Sequence, residues 1–125
     1  ILEQAAVEHA VRYADEEEIR QLDVLASARV DTSDPEWIQE YHRVNTAFHI
    51  GIAAVMQNEY LIDVLRNVLA ILQRDLIEDM KYIGVEKTLE AHKLIVEAIR
   101  RRDLSAALAL SAQQINIIER KEHMV

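Results

Sequence analysis

The chain has 125 residues, half of them apolar, a formal net charge of -8 and no cysteine. This length fits one domain with a core, and the missing cysteines exclude disulfides and thiolate chemistry. The acidic balance argues against binding of a nucleic-acid backbone by this segment, because phosphate contacts need clustered Lys and Arg. No signal peptide is visible and no apolar run approaches the ~20 residues of a membrane span, so we expect a cytoplasmic protein.

The residue content predicts an all-α fold. Only two glycines and one proline occur, and Ala, Leu, Ile, Glu and Arg, which dominate, are mostly helix-compatible. The chain also starts at Ile1, in helical pattern and without an initiator methionine, which indicates a fragment of a longer protein.

The first half of the chain predicts three helices. The first occupies "ILEQAAVEHAVRYA" and stops before Asp15, which then acts as the N-cap of the second, with Glu18 completing a capping box. Asp34 as N-cap and Pro35 at the first helical position predict the start of the third, which runs from about residue 36 to residue 56.

The second half predicts three more helices, and short links between all six favour an antiparallel bundle. Asn58 caps the fourth helix, which ends at Gly84, while Thr88 and Asp103 cap the fifth and the sixth. The fourth helix carries a stripe of aliphatic side chains expected to face the core: Leu61, Leu65, Val68, Leu72 and Leu76.

Polar side chains interrupt the apolar stripes of three helices. Asn45 and His49 are four residues apart, hence on one face of the third helix, and His92 and Gln114 interrupt the fifth and sixth. Burial of such groups is costly unless each finds a partner. Because core sites of bundles are built from facing helices, we expect these four residues to line one internal ligand cavity.

A plainer interpretation stands beside this one. A single histidine on an apolar stripe is more often a satisfied core residue than a ligand. The other histidines lack the same pattern, since His42 falls on the polar side of its helix, His9 is expected to be semi-buried and His123 lies near the end.

Enzyme chemistry finds no support in the motifs. Di-iron bundles need Glu-x-x-His pairs, whereas the nearest matches, "EYH" and "EAH", have the wrong spacing. No serine or cysteine nucleophile stands in a suitable turn, and no glycine-rich phosphate loop is present. We therefore predict that the chain is not an enzyme.

The order of motifs resembles a known family. "NTAFHIGIAAVMQNEYL" followed by "LEAHKLIVEAIRRRDLSAALALSAQQI", with the opening "ILEQAAVEHAV", is similar to the FCD domain, the effector-binding C-terminal domain of FadR-subfamily GntR transcription regulators. The resemblance covers nearly the whole chain. The positions that match are Phe48, His49, Asn58, Leu61, His92, Ala98, Ile99, Asp103 and Ala107.

The resemblance implies a bundle of six or seven antiparallel helices with an internal ligand cavity. Many members hold a divalent metal there with one Asp and three His, and a small carboxylate effector completes its coordination. It further implies a homodimer, with DNA bound only through an N-terminal winged helix-turn-helix domain that this chain lacks. Residues 1–125 then form a single effector-binding domain.

Two ligand positions depart from the family pattern. Asn45 stands where the family has aspartate and Gln114 where it has the last histidine, so His49 and His92 are the remaining metal ligands. An amide oxygen is a weaker donor than a carboxylate, and the set suits Zn or Ni poorly. We predict weak or absent metal, with the effector held directly by amide and imidazole groups.

Three functions stay open on the sequence. The first is the effector-sensing and dimerisation domain of a bacterial GntR-type transcription regulator, with a small carboxylate-bearing metabolite as the expected ligand. The second is a stand-alone helical-bundle metalloprotein. The third is a structural dimerisation module whose buried polar residues fix its register.

Overall fold

The computed structural model describes residues 2–71 and 84–112, and these contain helices, turns and no strand. This confirms the predicted all-α fold. Gln114 and His123, together with Leu72 and Leu76 of the predicted stripe, lie outside the described residues. The helices are α1 (Leu2–Tyr13), α2 (Glu16–Ala26), α3 (Trp37–Ala54), α4 (Glu59–Ile71) and α5 (Val85–Arg100), and residues 104–112 are also helical.

The predicted capping box at the start of α2 is confirmed. Oδ1 of Asp15 accepts a hydrogen bond from the backbone N–H of Glu18 at 2.7 Å, and Oε1 of Glu18 accepts one from the backbone N–H of Asp15 at 3.0 Å. Two amide groups that the helix itself leaves without partners are thereby satisfied, which is typically worth about 1 kcal/mol.

The cap predicted for α3 is wrong, and the cap predicted for α4 is confirmed. Helix α3 has Glu36 as its N-cap, without a side-chain cap hydrogen bond, so the predicted cap is wrong. Oδ1 of Asp34 instead accepts from the N–H of Glu36 at 2.9 Å and closes the preceding turn, as short polar side chains often do. Asn58 is confirmed as the cap of α4, since its Oδ1 accepts from the N–H of Leu61 at 3.2 Å.

Helix α5 begins earlier than predicted. Gly84 is its N-cap with φ 94°, a backbone conformation that favours glycine, and the helix starts at Val85. Thr88, the predicted cap, already lies in the first turn, and its hydroxyl donates to the carbonyl of Gly84 at 3.3 Å. That prediction is wrong because a threonine within a helix can bond backwards to a carbonyl as readily as it caps.

Helix α5 ends in a Schellman motif. The N–H of Asp103 bonds to the carbonyl of Ala98 at 2.9 Å, and the N–H of Arg102 bonds to that of Ile99 at 3.0 Å. Arg102 has φ 58°, which is unusual for a residue with a side chain. Asp103 then caps the helical residues 104–112 through the N–H of Ala106 at 3.0 Å, as predicted.

The side chain of Arg102 ties this turn to the end of α1. Its guanidinium donates to the backbone carbonyls of Ala10 at 3.3 Å, Val11 at 3.0 Å and Ala14 at 2.5 Å. The last carbonyls of a helix have no partner within it and carry partial negative charge, so a cation is favourable there. Arg102 therefore fixes the C-terminal end of α1 to the end of α5.

Helix α3 lies at the centre of the described bundle and packs against α1, α2, α4 and α5. Gly51 allows its close approach to α2, since a Cβ at that position would lie 2.6 Å from Cδ1 of Leu25. The residues with the largest fully buried side chains are Phe48, Leu22, Ile52, Ile95, Ile99, His92, Val7, Val96 and Asn45. Two of the nine are polar, and both belong to the predicted site.

Helix α4 covers α3 with one narrow face. Leu65 and Leu69 are buried, but Val68, predicted to face the core, is 37 % exposed, so that part of the predicted stripe is wrong. The face of α4 that points away from α3 carries four exposed apolar side chains at helical spacing: Tyr60, Val64, Val68 and Ile71. We call these four residues the outer face of α4.

Candidate functional site

The structure brings three of the four predicted site residues together. Helix α3 supplies Asn45 and His49 and helix α5 supplies His92, with relative exposures of 2 %, 6 % and 0 %. Their helical spacing on α3 and the packing of α3 against α5 place the three side chains in one buried cluster. Gln114, the fourth, lies outside the described residues.

Asn45 and His92 form the direct link between α3 and α5. Oδ1 of Asn45 lies 3.1 Å from Nε2 of His92. An amide oxygen only accepts hydrogen bonds, so Nε2 carries the proton and donates. Nδ1 of the neutral ring is then an acceptor.

Aromatic contacts hold the ring of His92 in place. Phe48 stacks on it with centroids 4.1 Å apart and planes inclined by 19°, and His49 meets it edge-on at 5.3 Å and 90°. Burial of the ring, and secondly the charge of His49, lower the pKa of His92 from 6.5 to about 2. His92 is therefore a neutral hydrogen-bonding group near pH 7.

Glu3, on the first turn of α1, also belongs to the cluster. Its Oε1 lies against Nδ1 of His49 as an ion pair when the imidazole is protonated. Burial alone would raise the pKa of Glu3, but the opposing charge and contact of His49 outweigh it, and that pKa is lowered. Sequence reasoning missed this residue.

A signal for Glu3 was present in the sequence. Glu3 stands one turn before Ala6 and Val7 and two turns before Ala10, all buried, so it interrupts the apolar stripe of α1 much as Asn45 interrupts that of α3. The stripe shows that Glu3 faces inward. It does not show that His49 is the group it meets.

The cluster contains buried polar atoms that lack a hydrogen-bond partner within the described residues. They include Nδ2 of Asn45 and Nδ1 of His92. Such atoms carry a desolvation cost of roughly 1–3 kcal/mol each. Nδ2 is a donor and Nδ1 an acceptor, so together they can bind a small molecule that offers both kinds of group.

His9 and His42 are the other histidines that the structure describes. His9 is half-buried, as predicted, and its ring contacts Tyr13 at a centroid distance of 4.8 Å. His42, predicted on the polar side of α3, is half-buried, and its Nδ1 is enclosed without a hydrogen-bond partner in the described part of the chain. The prediction for His42 is therefore only partly right.

Two hollows lie elsewhere on the described bundle. One, of about 510 Å³, is lined by Val11, Arg12, Tyr13, Arg102 and Leu104. The other, of about 130 Å³, is lined by Glu18, Gln21, Leu22, Leu25, Gly51, Ala54 and Val55. Neither is lined by Asn45, His49 or His92.

The residues of the cluster do not fit a divalent metal. Nε2 of His92 is engaged by Asn45, and the only carboxylate in contact with the cluster, within residues 2–71 and 84–112, lies on Nδ1 of His49. No group of three or more His, Asp or Glu side chains suited to a metal occurs in those ranges. Zinc-type sites need at least three such ligands. Weak or absent metal binding stays a prediction.

Comparison with known families decides the assignment. The model of the FCD domain matches residues 1–116. The chain belongs to the FCD domain family. FCD domains are the C-terminal effector-binding domains of GntR regulators, regulatory ligand-binding domains and not enzymes. No curated protein and no solved structure matches the chain. The match leaves the FadR subfamily a prediction.

Within residues 2–71 and 84–112, no helix combines the length and the apolar character needed to cross a bilayer.

Proposed function

We propose that this FCD domain senses a small carboxylate-bearing metabolite in the cluster of Asn45, His49 and His92, and thereby modulates DNA binding by a separate winged-helix domain. The observation that supports it most is the burial of these three polar side chains at the contact of α3 with α5. A buried polar atom without a hydrogen-bond partner needs an explanation, and a polar ligand supplies one here.

The cluster offers the chemistry that such an effector needs without a metal. Nδ2 of Asn45 can donate to a carboxylate oxygen, and Nδ1 of His92 can accept from a hydroxyl or ammonium group. A small hydroxy or amino acid matches this set.

Binding of carboxylates tests the proposal. We expect calorimetric titration with a panel of small carboxylates and hydroxy acids to find a ligand whose affinity falls about tenfold or more in Asn45→Ala, because a charge-assisted hydrogen bond is lost. Asn67→Ala, an exposed asparagine on α4, is the matched control and should leave affinity unchanged. Equal affinity in both variants would place the ligand elsewhere.

The metal prediction has its own test. The double variant Asn45→Asp, Gln114→His should bind zinc far more tightly than the natural chain, because it adds a charge and a nitrogen ligand at the family's positions. If zinc binds, His49 and His92 are the expected anchors. Elemental analysis of the untreated natural protein measures its metal content. A stoichiometric, chelator-resistant metal there would contradict the predicted weak or absent metal binding.

We also propose that the domain works as a homodimer. Regulators that read paired half-sites have two-fold symmetry, and the outer face of α4 offers apolar side chains for a contact, with Tyr60 86 % and Ile71 78 % exposed. Val64→Glu should shift sedimentation toward the monomer. Val24→Glu is the matched control on α2, where Val24 is 69 % exposed. A monomeric full-length regulator at micromolar concentration would end this proposal.

One observation favours the second candidate, a structural module without effector. The Asn45–His92 hydrogen bond can fix the register of α3 against α5 by itself, a known use of buried polar pairs. In that case no carboxylate binds, and Asn45→Ala changes stability alone.

A further inference from the structure

We propose that Glu3 is an internal competitor of the effector: its carboxylate occupies the position on His49 that the effector carboxylate takes, and effector binding therefore releases the start of α1 from α3. This inference rests on the proposed function and adds a regulatory step to the same site. It assigns a role to a residue outside the predicted ligand set.

The geometry of the contact carries the proposal. Oε1 of Glu3 lies against Nδ1 of His49, and the His49 side chain is 6 % exposed. Two carboxylates cannot both pair with that nitrogen at close range, because like charges a few Å apart repel strongly in a partly buried setting. An incoming carboxylate must therefore displace the carboxylate of Glu3 before it can pair with His49.

Only one of the two partners can leave easily. The side chain of Glu3 is 26 % exposed, so its carboxylate has a route to water, whereas His49 is enclosed on α3 between its neighbours. Rehydration recovers most of what a carboxylate loses on leaving an ion pair near the surface. Exchange of Glu3 for an effector carboxylate therefore costs little on the Glu3 side.

Helix α1 has few other polar contacts at its N-terminal end within the described residues. The residues of α1 that face the core are small or medium aliphatic ones: Ala6, Val7, Ala10 and Val11. Its other carboxylate is Glu8, which is exposed and pairs along the helix with Arg12 at 3.1 Å. Loss of the Glu3 contact thus frees the first turn of α1 without breaking another charged contact within the described residues.

A different role for Glu3 makes the opposite prediction. If its carboxylate only orients the imidazole of His49 toward a ligand, as carboxylates orient metal-binding histidines, then removal of its charge weakens ligand binding. The sign of the change separates competition from orientation.

The experiment uses acetate as the probe and the full 125-residue chain. Histidine ring signals in NMR spectra report acetate binding to the natural chain and to Glu3→Gln, and Glu8→Gln is the matched control on the same helix. We expect Glu3→Gln to bind acetate about tenfold more tightly or better, because a competing charge is removed, with Glu8→Gln unchanged.

A second measurement keeps the test independent of the stability of Glu3→Gln. Acetate added to the natural chain should speed amide hydrogen exchange in the first turns of α1 and leave α5 unchanged. Equal or weaker acetate binding by Glu3→Gln, with binding to the natural chain intact, overturns the inference and leaves the proposed function standing. If His49 responds to acetate in none of the proteins, both fail.

Discussion

The Asn45–His92 contact and the Glu3–His49 contact lie side by side but follow different physical rules. The first joins two neutral groups that are 2 % and 0 % exposed, with a hydrogen bond of 3.1 Å. The second joins the carboxylate of Glu3, which is 26 % exposed, to the imidazole of His49, and it is an ion pair when that ring is protonated. A neutral buried pair is costly to open, whereas a charged pair near water exchanges partners readily. One contact holds the bundle together and the other is suited to change.

The largest expected effect comes from breaking the neutral pair. His92→Ala removes a fully buried ring stacked on Phe48 and leaves the amide of Asn45 without its partner. We expect the free energy of unfolding to fall by about 3–5 kcal/mol, by analogy with truncation of buried aromatic side chains. Urea denaturation measures it. His9→Ala, at a half-buried ring, should cost clearly less, and equal losses would contradict the comparison.

Acid should weaken the fold through His92 before it acts on Glu3. The pKa of His92 is lowered to about 2 in the folded protein against 6.5 for the free side chain. Below pH 6.5 the unfolded chain therefore binds a proton that the folded chain does not, and stability falls as pH falls, by about 1.4 kcal/mol per pH unit well below 6.5.

A variant without this titrating group isolates the effect. Urea denaturation of His92→Phe between pH 6.5 and 5 should show a slope smaller by up to about 1.4 kcal/mol per pH unit. Glu3, whose pKa is lowered from 4.5, contributes stability that is present above pH 4.5 and lost only at lower pH. A slope that is the same in both proteins above pH 5 would show that His92 is not held neutral.

The smallest effect on stability is expected at the charged pair. Glu3→Gln keeps the shape of the side chain, and the replaced carboxylate is partly exposed, so we expect a loss of about 1 kcal/mol or less of unfolding free energy. Glu8→Gln, which breaks the exposed pair with Arg12, should cost at most about 0.5 kcal/mol. Thermal unfolding of both variants checks the order, and a loss at Glu3 as large as that at His92 would make the two contacts equivalent.

Three of the five predicted helix caps are confirmed, whereas contacts that depend on the packing of helices could not be predicted from the sequence. Asp15, Asn58 and Asp103 cap helices as predicted, because a cap involves only residues two or three positions away. The Thr88 prediction failed because a glycine with positive φ starts α5 sooner. Val68 was predicted to face the core but is exposed. The prediction failed because the packing of α4 against α3 decides which side of α4 is buried.

The site shows the same division. Helical spacing placed Asn45, His49 and His92 on inward faces, and the structure gathers them into one cluster. Which atoms meet was not accessible from spacing: the tautomer of His92 follows from its contact with Asn45, and the partner of His49 comes from a helix more than 30 residues away along the chain. Contacts between distant segments depend on the angle at which helices cross.

The hydrogen bonds from Arg102 to the last carbonyls of α1 determine how that helix can move. Its 12 residues rise about 1.5 Å each, giving a rod of about 18 Å. Arg102 anchors one end, so the rod pivots there and does not slide. A displacement of about 1 Å at the Glu3 end then amounts to a tilt of roughly 3° over that length. A segment that precedes α1 would be displaced by the same tilt, and its displacement would grow in proportion to its distance from Arg102.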